Sequence, residues 1–83
     1  MYLVHELVDD GLNVFLANAR EIIDRIDMSD CIGAEYRVFE TDGFGELSEL
    51  KIHGCWHDFK RPLYIKAVRA DGSIAFDGYG TDH

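Results

Sequence analysis

The chain has few of the residues that build disulfide scaffolds, membrane spans or nucleic-acid-binding surfaces. Its 83 residues include one proline, two cysteines and only eight lysines and arginines. No apolar run approaches the roughly 18–20 residues that cross a bilayer. Two cysteines are too few for a disulfide framework, so we expect reduced thiols at Cys31 and Cys55. The chain also has 16 acidic residues, and the resulting net charge of −8 argues against direct binding to nucleic acid or anionic membranes.

What the chain does contain is typical of one small folded domain spanning residues 1–83. Hydrophobic residues make up 47% and aromatic residues 12%, which is too much apolar surface for a disordered chain. The segment Met1–Glu6 lacks the basic start and the long apolar stretch of a signal peptide, so we expect a cytoplasmic protein.

Apolar residues recur at helical spacing between residues 10 and 28 and predict one amphipathic helix. Asp9 or Asp10 would cap its N-terminus, and Gly33 would end it. Val14 lies on the polar side of this helix, where it has no core role. The predicted buried stripe consists of Leu12, Phe15, Leu16, Ala19, Ile22, Ile23 and Ile26.

After Gly33 the apolar spacing changes from 3.6 to 2 and predicts strands. One strand covers residues 34–41, Asp42-Gly43 marks a turn, and a second strand covers 49–57. Residues 2–8 fit either a strand or an extra helical turn, and a strand is favoured.

The C-terminal hairpin is the best-determined local feature. Leu63–Ala70 and Ser73–Tyr79 flank Asp71-Gly72, a dipeptide typical of a two-residue type I′ turn. That turn fixes a register that pairs opposite charges and two aromatic rings. The expected pairs are Ala70–Ser73, Arg69–Ile74, Val68–Ala75, Ala67–Phe76, Lys66–Asp77, Ile65–Gly78 and Tyr64–Tyr79.

Together these elements predict an α+β fold, with one amphipathic helix packed on an antiparallel sheet of four or five strands. The element order is β-α-β-β-β-β, and the C-terminal strands form a meander. The helix stripe would pack against Val38, Leu50, Ile52, Trp56, Ile65 and Phe76.

Charge is distributed unevenly along the chain. Residues 1–50 hold 12 acids and three bases, whereas residues 51–83 hold four acids and five bases. Acidic residues recur every third position along the predicted helix and continue beyond it. This candidate partner-binding patch comprises Glu21, Asp24, Asp27, Asp30 and Glu35.

Such a row is either a solvated surface that keeps the protein soluble or a docking surface for a basic protein. A docking row could imitate a phosphate backbone and occlude a nucleic-acid-binding site. In size and charge the chain resembles the small acidic inhibitors that phages and mobile elements direct against host defence proteins. We therefore expect a non-enzymatic protein-binding module, with such an inhibitor as the sharper hypothesis.

The alternative hypothesis is a homodimeric structural or adaptor module. The outer face of the C-terminal hairpin is half apolar, and exposed apolar patches often mark interfaces. Its candidate residues are Tyr64, Val68, Ala75 and Tyr79.

The sequence gives little indication of a metal-binding or catalytic site. His53, Cys55 and His57 project from one side of a strand, but residues two apart diverge too far to share one zinc ion readily. The same spacing disfavours Cys55 as a nucleophile with a histidine base. We expect no metal, no cofactor and no enzymatic activity.

Overall fold

The computed structural model describes residues 1–29, 35–55 and 64–80. These residues form one helix and six strands, and every strand pairing is antiparallel. The sheet order is β2-β1-β3-β4-β5-β6. The α+β class is confirmed, with one strand more than expected. The elements are β1 (Tyr2–Val8), β2 (Gly11–Ala17), α1 (Ala19–Ser29), β3 (Glu35–Thr41), β4 (Leu47–Cys55), β5 (Tyr64–Val68) and β6 (Ile74–Tyr79).

The extra strand is the first half of the predicted helix. Gly11–Ala17 pairs with β1 along its whole length, so the prediction of one helix over residues 10–28 was wrong. Apolar residues at nearly every position of this segment satisfy a period of 2 as well as one of 3.6. Pairing with all seven residues of β1 supplies ladder hydrogen bonds that decide between the two. The strand favoured for residues 2–8 is confirmed.

Asn18 caps the N-terminus of α1, and a capping box marks the start of the helix. The Glu21 N–H donates to Asn18 Oδ1 (2.9 Å), and the Asn18 N–H donates to Glu21 Oε1 (3.3 Å). These reciprocal bonds satisfy two backbone donors at the helix N-terminus. Asp9 and Asp10, the predicted caps, instead form the turn between β1 and β2.

The core lies between α1 and one face of the sheet. From α1, Ile22 and Ile23 are buried as predicted, and Ala19 and Ile26 pack partly against them. Leu12 and Leu16 were expected in the core but are exposed, because β2 turns them away from α1. Trp56 lies outside the described residues. The buried cluster is Val4, Ala17, Ile22, Ile23, Val38, Leu50, Ile65, Ala67 and Phe76.

The sheet curls strongly toward α1. The rings of Tyr2 and Phe76 lie 4.9 Å apart, although three strands separate β1 from β6. In a flat sheet those strands would be about 19 Å apart, at ~4.8 Å per strand. The α1 side is therefore concave, and we call the opposite side the open face. It carries the odd-numbered residues of β1, β3 and β4 and the even-numbered residues of β2 and β5.

The register of the C-terminal hairpin is confirmed for the pairs that join residues 64–67 to residues 76–79. Nearer the turn a β-bulge shifts the register, so that Val68 faces Ile74 and not Ala75. The bulge accommodates an extra residue in β6.

The turn of this hairpin differs from the predicted type I′. That type needs a positive φ at both central residues, whereas among the described residues only glycines have one. Here Gly72 alone takes it (φ 89°), and its N–H donates to the Arg69 carbonyl (2.9 Å). The Asp71 carboxylate meanwhile accepts from the Ser73 N–H (2.9 Å). The result is a longer loop with glycine in the left-handed position.

Replacing Gly72 with alanine should destabilise the fold by roughly 1–2 kcal/mol, because an L-residue resists the left-handed conformation. A Cβ at this position would meet no atom within 4 Å, so the loss would report on the backbone conformation alone. Gly43 is the matched control, since it also has open space and no positive φ. Urea denaturation should show Gly43→Ala close to wild type. Equal effects of the two substitutions would contradict this description of the turn.

Candidate functional site

The most strongly bound side chain on the concave side is the Glu6 carboxylate of β1, which is only 6% exposed. It accepts hydrogen bonds from Arg25 Nε (2.7 Å), the Tyr36 hydroxyl (2.6 Å) and Asn13 Nδ2 (3.1 Å). The Arg25 hydrogen bond, followed by that from Tyr36, lowers the pKa of Glu6 to about 2. Because its donors come from β2, α1 and β3, this carboxylate joins four elements and is structural.

Arg25 also borders a groove between β2 and α1. Its guanidinium lies 4.4 Å from the centre of the Phe15 ring, a cation–π contact. Glu21 and Asp24 line the same groove from the helix. The groove therefore places two carboxylates beside a partly buried aromatic ring.

The predicted acidic row does not form one surface. Glu21 is exposed within the capping box, and Asp24 bonds to Arg20 (2.6 Å) on the same side of the helix. Asp27 is only 2% exposed and lies against Gly80, where an added Cβ would clash with its carboxylate. The expectation that Asp27 continues an exposed row was therefore wrong, because α1 turns that position toward the sheet.

Glu35 is also separated from the helix acids. The strand register pairs it with Leu7, whereas its neighbour Tyr36 bonds to Glu6 on the concave side. Alternation along β3 thus directs Glu35 to the open face. Asp30 lies outside the described residues. Of the five predicted residues, the structure brings together Glu21 and Asp24.

The arginines of the described residues are all committed to carboxylates of the same chain. The Arg69 pair lowers the pKa of Glu40, and the Arg37 pair lowers that of Glu49. Exposed carboxylates remain on the helix and in the turns at both ends of the sheet, so the charge left for a partner on these parts is negative. The ion pairs are Arg20–Asp24, Arg25–Glu6, Arg37–Glu49 and Arg69–Glu40.

The open face carries an apolar strip that was not expected from the sequence, because its residues were assigned to the predicted helix. We define the β2 strip as Leu12, Val14 and Leu16, which are 54%, 55% and 61% exposed. The Asn18–Glu21 capping box, which starts the helix only after residue 17, is the signal that could have revealed it. The β2 strip lies beside the open-face residues of β1, which are Leu3, His5 and Leu7.

The residues predicted to form the hairpin interface share one face only in part. Tyr64 and Tyr79 contact each other on the open face (ring centres 5.1 Å apart), and the Tyr64 hydroxyl donates to Asp77 Oδ2 (2.6 Å). Ala75 packs partly against the core at the bulge, so it does not pair with Val68 as expected. Half-exposed Ile74 occupies that place.

The candidate metal ligands are only partly described. His53 is exposed on β4 and faces Lys66 across the ladder, a cation that would oppose a bound metal ion. The predictions for the side chains of Cys55 and His57 lie outside the described part of the structure. Across the side chains that are described, no three His, Cys, Asp or Glu residues are grouped to hold a metal.

Comparison with known proteins supplies no assignment. No family model, curated protein or solved structure matches the chain. Within residues 1–29, 35–55 and 64–80, no helix has the length and apolar character needed to cross a membrane.

Glu6 should make the stability of the protein sensitive to acid. Its pKa is about 2 in the fold but 4.5 in the unfolded chain, so the unfolded state binds more protons between these values. The stabilisation is complete above about pH 4.5 and is lost as the pH falls through 2. Glu6→Gln should lower the free energy of unfolding at pH 7 by about 2 kcal/mol and flatten its acid dependence.

Chemical denaturation between pH 7 and pH 2 measures both effects. Glu49→Gln is the control, because it removes a carboxylate from an exposed arginine pair and should change stability little. An unchanged acid slope in Glu6→Gln would contradict the assigned role.

Proposed function

We propose that the protein is a non-enzymatic acidic module that binds a basic protein surface. The observation that carries this proposal is the internal pairing of every arginine in the described residues. With those cations neutralised, exposed carboxylates dominate the field around the helix and the turns. Opposite charge on a partner would steer the two proteins together and raise their association rate.

The docking centre on this proposal is the groove between β2 and α1. In this groove, which Arg25 also borders, Glu21 supplies a carboxylate that none of the described arginines holds, and Asp24 supplies one that it shares with Arg20. The Phe15 ring supplies apolar contact beside them. Interfaces commonly combine an aromatic anchor with charged residues at the rim. The other exposed acids would contribute to long-range attraction rather than to direct contact.

The sharper form of the proposal concerns the partner's chemistry. A basic surface that accepts a carboxylate pair is also suited to phosphates, so the partner would be a protein that handles nucleic acid. By covering that surface, the module would act as an inhibitor, in the manner of a phage or mobile-element protein acting on host defence. The encounter would take place in the cytoplasm and would require no cofactor.

Homodimerisation through the hairpin face remains the second candidate, and one observation favours it. Tyr79 is 52% exposed although it is a large aromatic residue. Such a dimer would not weaken as salt rises, which separates it from the acidic docking surface.

Glu21→Gln should weaken capture of a basic partner, because it removes charge from the groove while glutamine can keep the capping box. The chain would be immobilised, exposed to extract from the cells that make it, and washed at increasing salt. We expect captured protein to be released by salt, to be lost further in the double variant Glu21→Gln/Asp24→Asn, and to be displaced by a short DNA duplex.

Glu46→Gln is the matched control, since Glu46 is an exposed acid in the β3–β4 turn away from the groove. It should leave capture close to wild type. Docking at the groove would be contradicted if salt failed to release the captured protein. It would also be contradicted if Glu21→Gln and Glu46→Gln reduced capture equally. Capture that DNA fails to displace would contradict the nucleic-acid-handling partner alone.

A further inference from the structure

Strand β2 is an edge of the sheet without the usual protection. Among the described residues no strand pairs with its outer side, and its sequence from Gly11 to Ala17 contains no charge and no proline. Soluble proteins normally block such edges, because exposed backbone groups recruit further strands. The other edge, β6, follows that rule: it has a bulge and Asp77, and Arg20 donates to the Tyr79 carbonyl.

The connection between β1 and β2 determines which backbone groups of β2 point outward. Only two residues separate the paired Val8 and Gly11, so this pair must carry ladder hydrogen bonds itself. Bonded and non-bonded pairs then alternate along the strands. The N–H and C=O groups of the β2 strip therefore point away from β1 toward the open edge.

We infer that a second copy of this chain pairs with β2, antiparallel to it, about a two-fold axis at Val14. In this register Val14 faces the same residue of the partner, and Leu12 faces the partner's Leu16. The outward backbone groups of both strips would then satisfy each other, and their side chains would form one apolar band on the open face. The symmetric placement of two leucines around Val14 makes the edge self-complementary, as a two-fold interface requires.

Charge selects a second copy over a basic partner at this place. Two chains of net charge −8 repel unless they meet where carboxylates are absent. The β2 strip and its open-face neighbours on β1, Leu3, His5 and Leu7, contain none. On this face a basic partner would gain no ion pair. Another copy would gain hydrogen bonds and apolar contact without bringing like charges together.

The inference differs from the proposed function in both location and salt response. Docking at the groove should weaken as salt rises, whereas association of two acidic copies should strengthen because salt screens their repulsion. A single strand pair is smaller than the ~800 Å² per partner of a standard interface, so we expect a dimer at about 0.5 mM that dissociates on dilution.

Sedimentation equilibrium with variants at the proposed axis tests this arrangement. Wild type should approach twice the chain mass of 9.5 kDa. Val14→Lys and Val14→Glu should each associate at least tenfold more weakly, because like charges would meet at the axis. An equimolar mixture of the two variants should regain the dimer. Tyr79→Lys is the matched control, since Tyr79 is as exposed as Val14 but lies on the hairpin face.

Hydrogen exchange of the wild-type chain provides a second readout that needs no variant. Protection of the Leu12, Val14 and Leu16 amides should rise with protein concentration. Protection of the Asn13 and Phe15 amides should not change, because their N–H groups already point toward β1. A monomer at about 0.5 mM, well above the micromolar Kd of many specific pairs, would overturn the inference. So would dissociation by Tyr79→Lys, failure of the mixed variants to pair, or concentration-independent exchange.

Discussion

The buried carboxylate of Glu6 is the constraint on which the arrangement of the surrounding elements depends. A charge at this depth would be costly if its donors moved away, so Arg25, Tyr36 and Asn13 must all reach one side of β1. That requirement determines which side chains of β2 and β3 lie on the concave side, and it also determines the position of α1. Since side chains alternate along a strand, directing Glu6 to the concave side also directs Leu7 to the open face.

Separation of charge from apolar surface follows from this arrangement. The described arginines are all held by carboxylates, Arg20 by Asp24 within α1 and the others by carboxylates of other segments, so the remaining acids define the electrostatic character of the helix and the turns. The β2 strip, in contrast, lies on the face that the helix leaves uncovered. Two different kinds of contact can therefore coexist on a small protein, because one depends on exposed carboxylates and the other on their absence.

Local patterns predicted much of the fold. Ile22 and Ile23 were assigned to the core from helical spacing, and the pairing of Tyr64 with Tyr79 came from the position of the hairpin turn. Leu12 and Leu16 were misassigned because an almost continuous apolar segment fits both helix and strand. The acidic row failed at Asp27 and Glu35, since a spacing of three ignores which side of each element faces the core.

The sequence by itself determined the α+β class, the excess of acid in its first half and the hairpin register away from the turn, because composition, alternation and turn residues act locally. Tertiary structure decided that residues 11–17 are a strand, because only pairing with β1 separates two otherwise compatible periods. It also decided which carboxylates reach solvent. Burial of Glu6 and Asp27 depends on neighbours distant in the chain, and no local pattern contains that information.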